Sequence, residues 1–83
     1  MATPTENPTD APERPMRLSN RLRVARAERR LSQERLAEMA GVTRQTISAI
    51  ETGQYSPSAR LAFMLARRLG LAVTDLFFLE EES

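Results

Sequence analysis

The sequence predicts an all-α fold, a compact set of five short helices. Three features support this. Apolar residues recur at helical spacing from Leu18 to Leu69. Serine and threonine stand ahead of the apolar stretches, and Gly41, Gly53 and Gly70 stand behind them, where helices start and stop. No internal repeat and no strand-like alternation of apolar and polar residues is evident.

The first helix is expected from Asn20 to Arg30 with Ser19 as its N-cap. Leu18, Leu22 and Ala25 fall at i, i+4 and i+7 and make one apolar stripe, while Arg17, Arg21, Arg23, Arg29 and Arg30 occupy the other faces. The second helix follows Ser32, whose hydroxyl suits an N-cap, with Gln33 and Glu34 in the first turn. Arg35 stands where a full capping box would have Glu or Gln. Leu36, Ala37 and Ala40 point inward, and Gly41 stops the helix by taking a positive φ. The third helix starts after Thr43 and ends near Thr52-Gly53. A loop over Gln54-Tyr55-Ser56-Pro57 leads to a fourth helix at about residues 57–69, opened by Ser56 or Ser58 with Pro57 in its first turn. Leu61, Leu65 and Leu69 form its buried stripe, flanked by Ala62 and Ala66, and Gly70 closes it. A short fifth helix follows Thr74 and contains Leu76 and Phe77.

With 83 residues the chain holds at most one small domain. It has no Cys and no His, which excludes disulfides, Cys or His metal sites and catalytic dyads that use either residue; no cofactor is expected. Residues 1–16 contain four of the five prolines, almost nothing apolar and a charge of −2, and are expected to form a disordered acidic arm. They lack the apolar core of a signal peptide, and no apolar run could span a bilayer, so a cytoplasmic location is expected. The folded domain is expected over 17–79, followed by an acidic tail at 80–83. The net charge of +1 conceals segregation: residues 17–69 carry +7 between two acidic ends, and all twelve basic residues are Arg. A basic body suits a polyanion, and Arg is the better bidentate donor to phosphate and guanine.

Residues 32–53 concentrate the functional signal. Two short helices broken by a Gly-containing turn have the layout of a helix-turn-helix, whose second helix enters the DNA major groove. On a wheel of about 100° per residue, Ile47 and Ile50 define the inward side of the third helix. Gln45, Ser48 and Ala49 lie opposite, with Arg44 at their N-terminal edge. Arg can donate two bonds to guanine and Gln can pair with adenine, Ser bonds either base type, and a small Ala can touch a thymine methyl and let the helix sit deep. Thr46 is placed with the backbone contacts, its methyl within reach of thymine. Gln33 and Thr43 sit at helix N-termini, where unpaired N–H groups favour phosphate. Glu51 is out of place on a helix that faces phosphate, and an ion pair with Arg26 is expected to hold it inside the protein. Glu34 and Glu38 lie at i, i+4 on a helix surface with no cleft implied, so no enzyme is expected.

These strings resemble the Cro and phage-repressor (Xre-like) helix-turn-helix family. The resemblance runs from about Asn20 to Phe77 and rests on Leu31-Ser32-Gln33-Glu34-Arg35-Leu36-Ala37, on Gly41 through Glu51, and on Gly53 and Ser56-Pro57-Ser58. It implies a five-helix lambda-repressor-like domain that acts as a transcriptional regulator, a repressor, on double-stranded DNA. It implies base contacts from Arg44, Gln45 and Ala49, and backbone contacts from Ser32, Gln33, Thr43 and Thr52. It also matches Arg26 and Glu51 to a buried pair that ties helix 1 to helix 3. Two departures stand out: Ala49 cannot donate a hydrogen bond, and Ala59 replaces a larger aliphatic. One recognition helix reads few base pairs, so a homodimer on half-sites about 10 bp apart is expected. Phe63, Phe77, Phe78 and Leu79 are the candidate dimer surface. The acidic ends leave an antitoxin, or a helical RNA-binding module, as alternatives. No small-molecule effector and no membrane partner is indicated.

Overall fold

The computed structural model describes residues 15–82. Five helices are present: α1 (Leu22–Glu28), α2 (Gln33–Ala40), α3 (Arg44–Glu51), α4 (Ala59–Leu69) and α5 (Val73–Leu76). The class is helical, as expected. Two strands, β1 (Met16–Asn20) and β2 (Phe77–Glu81), add an antiparallel ribbon absent from the sequence expectation. No helix among the described residues is long and apolar enough to cross a membrane.

The ribbon corrects the expected start of the first helix. Met16 and Leu18 alternate with Arg17 and Ser19 in the period of a strand, and the register sets Leu18 against Leu79 and Ser19 against Phe78. The same Leu18 also fits the stripe of Leu22 and Ala25, which is why a helical period could claim it. Ser19 is therefore a strand residue and caps nothing. The turn into α1 is held by Asn20, whose Oδ1 accepts the Leu22 N–H at 3.0 Å and whose Nδ2 donates to the Ile50 carbonyl at 2.9 Å. At the other end Phe77 is the first residue of β2, with an extended backbone, and not the last of a helix. Glu80 and Glu81 belong to the strand as well, so the acidic run is partly structured. Arg17 and Glu80 make a cross-strand ion pair at 3.3 Å.

The remaining boundaries follow local chemistry. Ser32, Thr43 and Ser58 accept hydrogen bonds from the backbone N–H three residues on and so cap α2, α3 and α4. Between Ser56 and Ser58 the cap is Ser58, and Pro57 lies before the helix rather than in its first turn. Gly41 and Gly70 sit at φ 73° and 71° and end α2 and α4. Val42 and Leu71 then fold their N–H groups back to the Ala37 and Ala66 carbonyls. The first helix ends differently. Arg30 takes the left-handed conformation at φ 55°, a position that glycine fills without strain.

Leu22, Leu36, Ile47, Ile50, Leu65 and Leu76 are fully buried, and Phe77 joins them at 7% exposure. Every helix thus contributes to one core, and α2 and α3 pack on each other across the Gly41 turn.

A polar clasp fixes α3 to α1 and α2. The Glu51 side chain is wholly enclosed (0% exposed). Arg26 Nε donates to its Oε2 at 2.7 Å and Arg26 Nη2 to its Oε1 at 3.3 Å. Gln33 Nε2 donates to the same Oε1 at 3.1 Å. Arg23 approaches to 3.7 Å, and Arg26 Nη1 reaches on to the Leu31 carbonyl at 2.8 Å. Burial on its own would raise the Glu51 pKa. The hydrogen bonds from Arg26 and Gln33 and the charges of Arg26 and Arg23 outweigh it, so the net shift is downward.

Glu51→Gln should cost about 3 kcal/mol of folding stability at neutral pH, because it leaves a half-buried guanidinium uncompensated. A double-mutant cycle with Arg26→Ala should show coupling of about 1–3 kcal/mol. An unfolded Glu titrates near pH ~4.3, and the folded value is lower. The clasp's contribution is therefore full above that pH and is lost as pH falls through the folded value. Urea titrations should show wild-type stability falling below about pH 5, with a shallower fall in Glu51→Gln; parallel slopes would contradict the assignment. Separately, Arg30→Gly should raise the unfolding free energy by about 0.5–1 kcal/mol, read as a higher urea midpoint, the relieved left-handed strain exceeding the added chain entropy. A lower midpoint would show that the Arg30 side chain stabilises the fold.

Candidate nucleic-acid interface

α3 is anchored from behind and open in front. Ile47 and Ile50 are buried on one side, and the clasp holds Glu51 at the last turn. Arg44 and Gln45 are exposed on the outer side, with Ser48 and Ala49 half-buried beside them. A helix of eight residues is too short to persist in water alone, so its position comes from this packing.

Ser48 and Ala49 are half-covered because the chain folds back along the end of the helix. The Thr52 hydroxyl donates to the Ser48 and Ala49 carbonyls at 3.1 and 3.3 Å. The N–H groups of Gln54 and Tyr55 converge on the Ala49 carbonyl at 2.9 and 3.2 Å. Tyr55 therefore stands at the C-terminal end of α3 and is 47% exposed. No pattern in the sequence singles it out.

The hydroxyls expected at the backbone-facing rim have intramolecular work. Ser32 Oγ accepts the Arg35 N–H at 2.9 Å, and Thr43 Oγ1 accepts the Thr46 N–H at 3.2 Å and shares a hydrogen bond with Thr46 Oγ1 at 3.0 Å. All three remain at the surface near the starts of α2 and α3, where the helix ends direct unpaired N–H groups outward. Gln33 has a structural task that its position in the sequence did not suggest. Its amide nitrogen holds Glu51, and its amide oxygen accepts from Arg44 Nη1 at 3.4 Å. The two helix starts are thus bridged by one side chain.

Arg23 and Asn20 complete the surroundings, and neither was singled out from the sequence. Arg23 lies on the solvent side of the clasp, 69% exposed at its side chain. Arg23, Arg26 and Arg44 outnumber the one carboxylate among them, so this side of the domain is electropositive although Glu51 is part of it. Of the expected dimer residues, Phe77 is buried in the core and Phe78 is half-buried with the Arg21 guanidinium 5.9 Å over its ring. Phe63 and Leu79 are exposed at 62% and 63%.

Comparison with known proteins places this geometry. A family model described as helix-turn-helix matches residues 22–76, which spans all five helices. An uncharacterized HTH-type transcriptional regulator of Methanocaldococcus jannaschii is 46% identical over 65 residues, covering 78% of this chain and 98% of that protein. An immunity repressor protein of Bacillus phage phi105 is 36% identical over 61 residues, covering 74% of this chain and 42% of the repressor. Among solved structures, the restriction-modification controller protein C.AhdI from Aeromonas hydrophila superposes with a TM-score of 0.62 at 33% identity, covering 65% of this chain and 78% of that one. The chain belongs to the helix-turn-helix family of transcriptional regulators, in the Xre-like group of Cro and the phage repressors.

Proposed function

We propose that the protein is a sequence-specific regulator of transcription, a repressor, that binds double-stranded DNA as a dimer with α3 in the major groove. The observation that carries this reading is the two-sidedness of α3. Its inner side is locked by Ile47, Ile50 and the Glu51 clasp, and its outer side presents Arg44, Gln45, Ser48 and Ala49. Such a rigid rod can hold hydrogen-bonding groups in register with base edges. Similarity to a phage immunity repressor favours repression over activation.

In this reading Arg44 reads guanine, Gln45 reads adenine, Ser48 bonds either base type, and Ala49 packs on a thymine methyl. Gln33, Ser32, Thr43, Thr46 and Thr52 line the phosphate-facing rim, with the starts of α2 and α3 adding their partial positive charge. Blocking polymerase access needs no catalysis and no cofactor, and a cytoplasmic site of action goes with it.

Selection of bound duplexes from a random library should recover an inverted repeat with half-sites about one helical turn apart. Arg44→Ala should relax preference at one guanine, losing about 1–3 kcal/mol of discrimination there. Gln33→Ala should instead weaken all sequences alike, with the dependence of affinity on salt unchanged because no cationic contact is lost. Recovery of no preferred sequence, or an Arg44→Ala variant with unchanged preference, would overturn the placement of α3.

A further inference from the structure

The ribbon is the part of the fold to which DNA binding gives no task. The Arg21 N–H donates to the Leu76 carbonyl at 2.9 Å and the Glu82 N–H to the Pro15 carbonyl at 2.9 Å. Hydrogen-bonded pairs alternate along an antiparallel ladder, so Arg17–Glu80 and Ser19–Phe78 also face into it. Leu79 lies between them and directs its N–H and C=O away from β1, along the outer edge of β2. Its side chain is 63% exposed, and its neighbour across the ribbon is Leu18. No proline and no lysine protects this edge. A two-stranded ribbon is marginal on its own, and further strands would stabilise it.

We propose that β2 pairs antiparallel with β2 of a second copy about a two-fold axis at Leu79, forming a four-stranded sheet across the dimer. The proposal rests on the dimeric reading above and names its interface. The pairing sets Leu79 opposite its own equivalent and continues the row outward to Leu18 on each side. It also sets Phe78 opposite Glu80 of the second copy. Arg21 already stands over the Phe78 ring, so the incoming carboxylate meets a guanidinium, and the symmetry produces this contact twice. Phe63 is as exposed as Leu79 but lacks this complementarity. Arg60 and Arg67 lie three residues before it and four after it on the same exposed face of α4, so a two-fold contact there would gather four like charges.

The chain contains no cysteine, so Leu79→Cys and Phe63→Cys each introduce a single thiol into the 83-residue chain. Backbones in a hydrogen-bonded antiparallel pair lie about 5.5 Å apart at Cα, within disulfide reach. Under mild copper-phenanthroline oxidation, Leu79→Cys should convert to a covalent dimer on a non-reducing gel and Phe63→Cys should not. The reverse pattern would overturn the proposal. Leu79→Arg should weaken dimerisation about tenfold or more in sedimentation equilibrium, with the helical circular dichroism unchanged; an unaltered dimer would also overturn it. The interface and the DNA reading fail separately. Wild-type protein that selects an operator while sedimenting as a monomer at micromolar concentration would reject the interface alone. Wild-type protein that cross-links through position 79 yet ignores duplex sequence would support the interface and reject the DNA reading.

Discussion

The enclosure of Glu51 by Arg26 and Gln33 is the constraint on which the placement of α3 depends. Eight residues cannot hold a helix in water, and two isoleucines fix which face turns inward but not how far the rod slides along its axis. The clasp supplies that second constraint, because a charged pair in a closed site tolerates little displacement before one partner loses its compensation. The same arrangement removes an electrostatic conflict. If α3 faces DNA as proposed, a carboxylate at its end would repel phosphate, but this one is turned inside and outnumbered by Arg26 and Arg23.

Arginine serves two purposes in this chain, and composition alone cannot separate them. Arg29 donates from Nε to the Leu69 carbonyl at 2.8 Å and from Nη1 to the Ala25 carbonyl at 2.8 Å, joining the end of α4 to α1. Arg68 reaches the Met39 carbonyl at 2.9 Å and joins α4 to the end of α2. Helix C-termini present unpaired carbonyls with a partial negative charge, so a long cationic donor is well suited to close them. Part of the basic excess between residues 17 and 69 therefore holds a small core together, and only the remainder is available to a polyanion.

The segment from Ser32 to Gly53 was legible because its signals are local. A capping hydroxyl, an apolar period and a glycine at positive φ each act within a few residues, and Ser32, Gly41 and Thr43 do in the structure what their neighbours imply. The outward set Arg44, Gln45, Ser48 and Ala49 followed from the same period. The ribbon was illegible for the opposite reason. Its strands have five residues each and pair across most of the chain, so neither is stable or recognisable without the other. Leu18 fits a helical and an extended period equally, and Asn20 turns the chain by bonding to Ile50, thirty positions away. The second task of Gln33 was hidden likewise, since it exists only once α1, α2 and α3 meet.

That second task bears on how the site would engage its target. Gln33 holds Glu51 through a 3.1 Å hydrogen bond at a partly buried position, whereas its contact with Arg44 is 3.4 Å long and exposed. A long hydrogen bond at the surface contributes little net stability, because water replaces it at nearly equal energy. The amide nitrogen is therefore fixed and the amide oxygen is loosely engaged. In the proposed complex Arg44 would leave Gln33 for a base edge at small cost, while Gln33 would stay anchored through Glu51 to the core of the domain. On the proposed function, the free protein would thus hold Gln33 in place with Arg44 resting against it, which would shorten the search for a bound geometry without trapping the side chain that has to move.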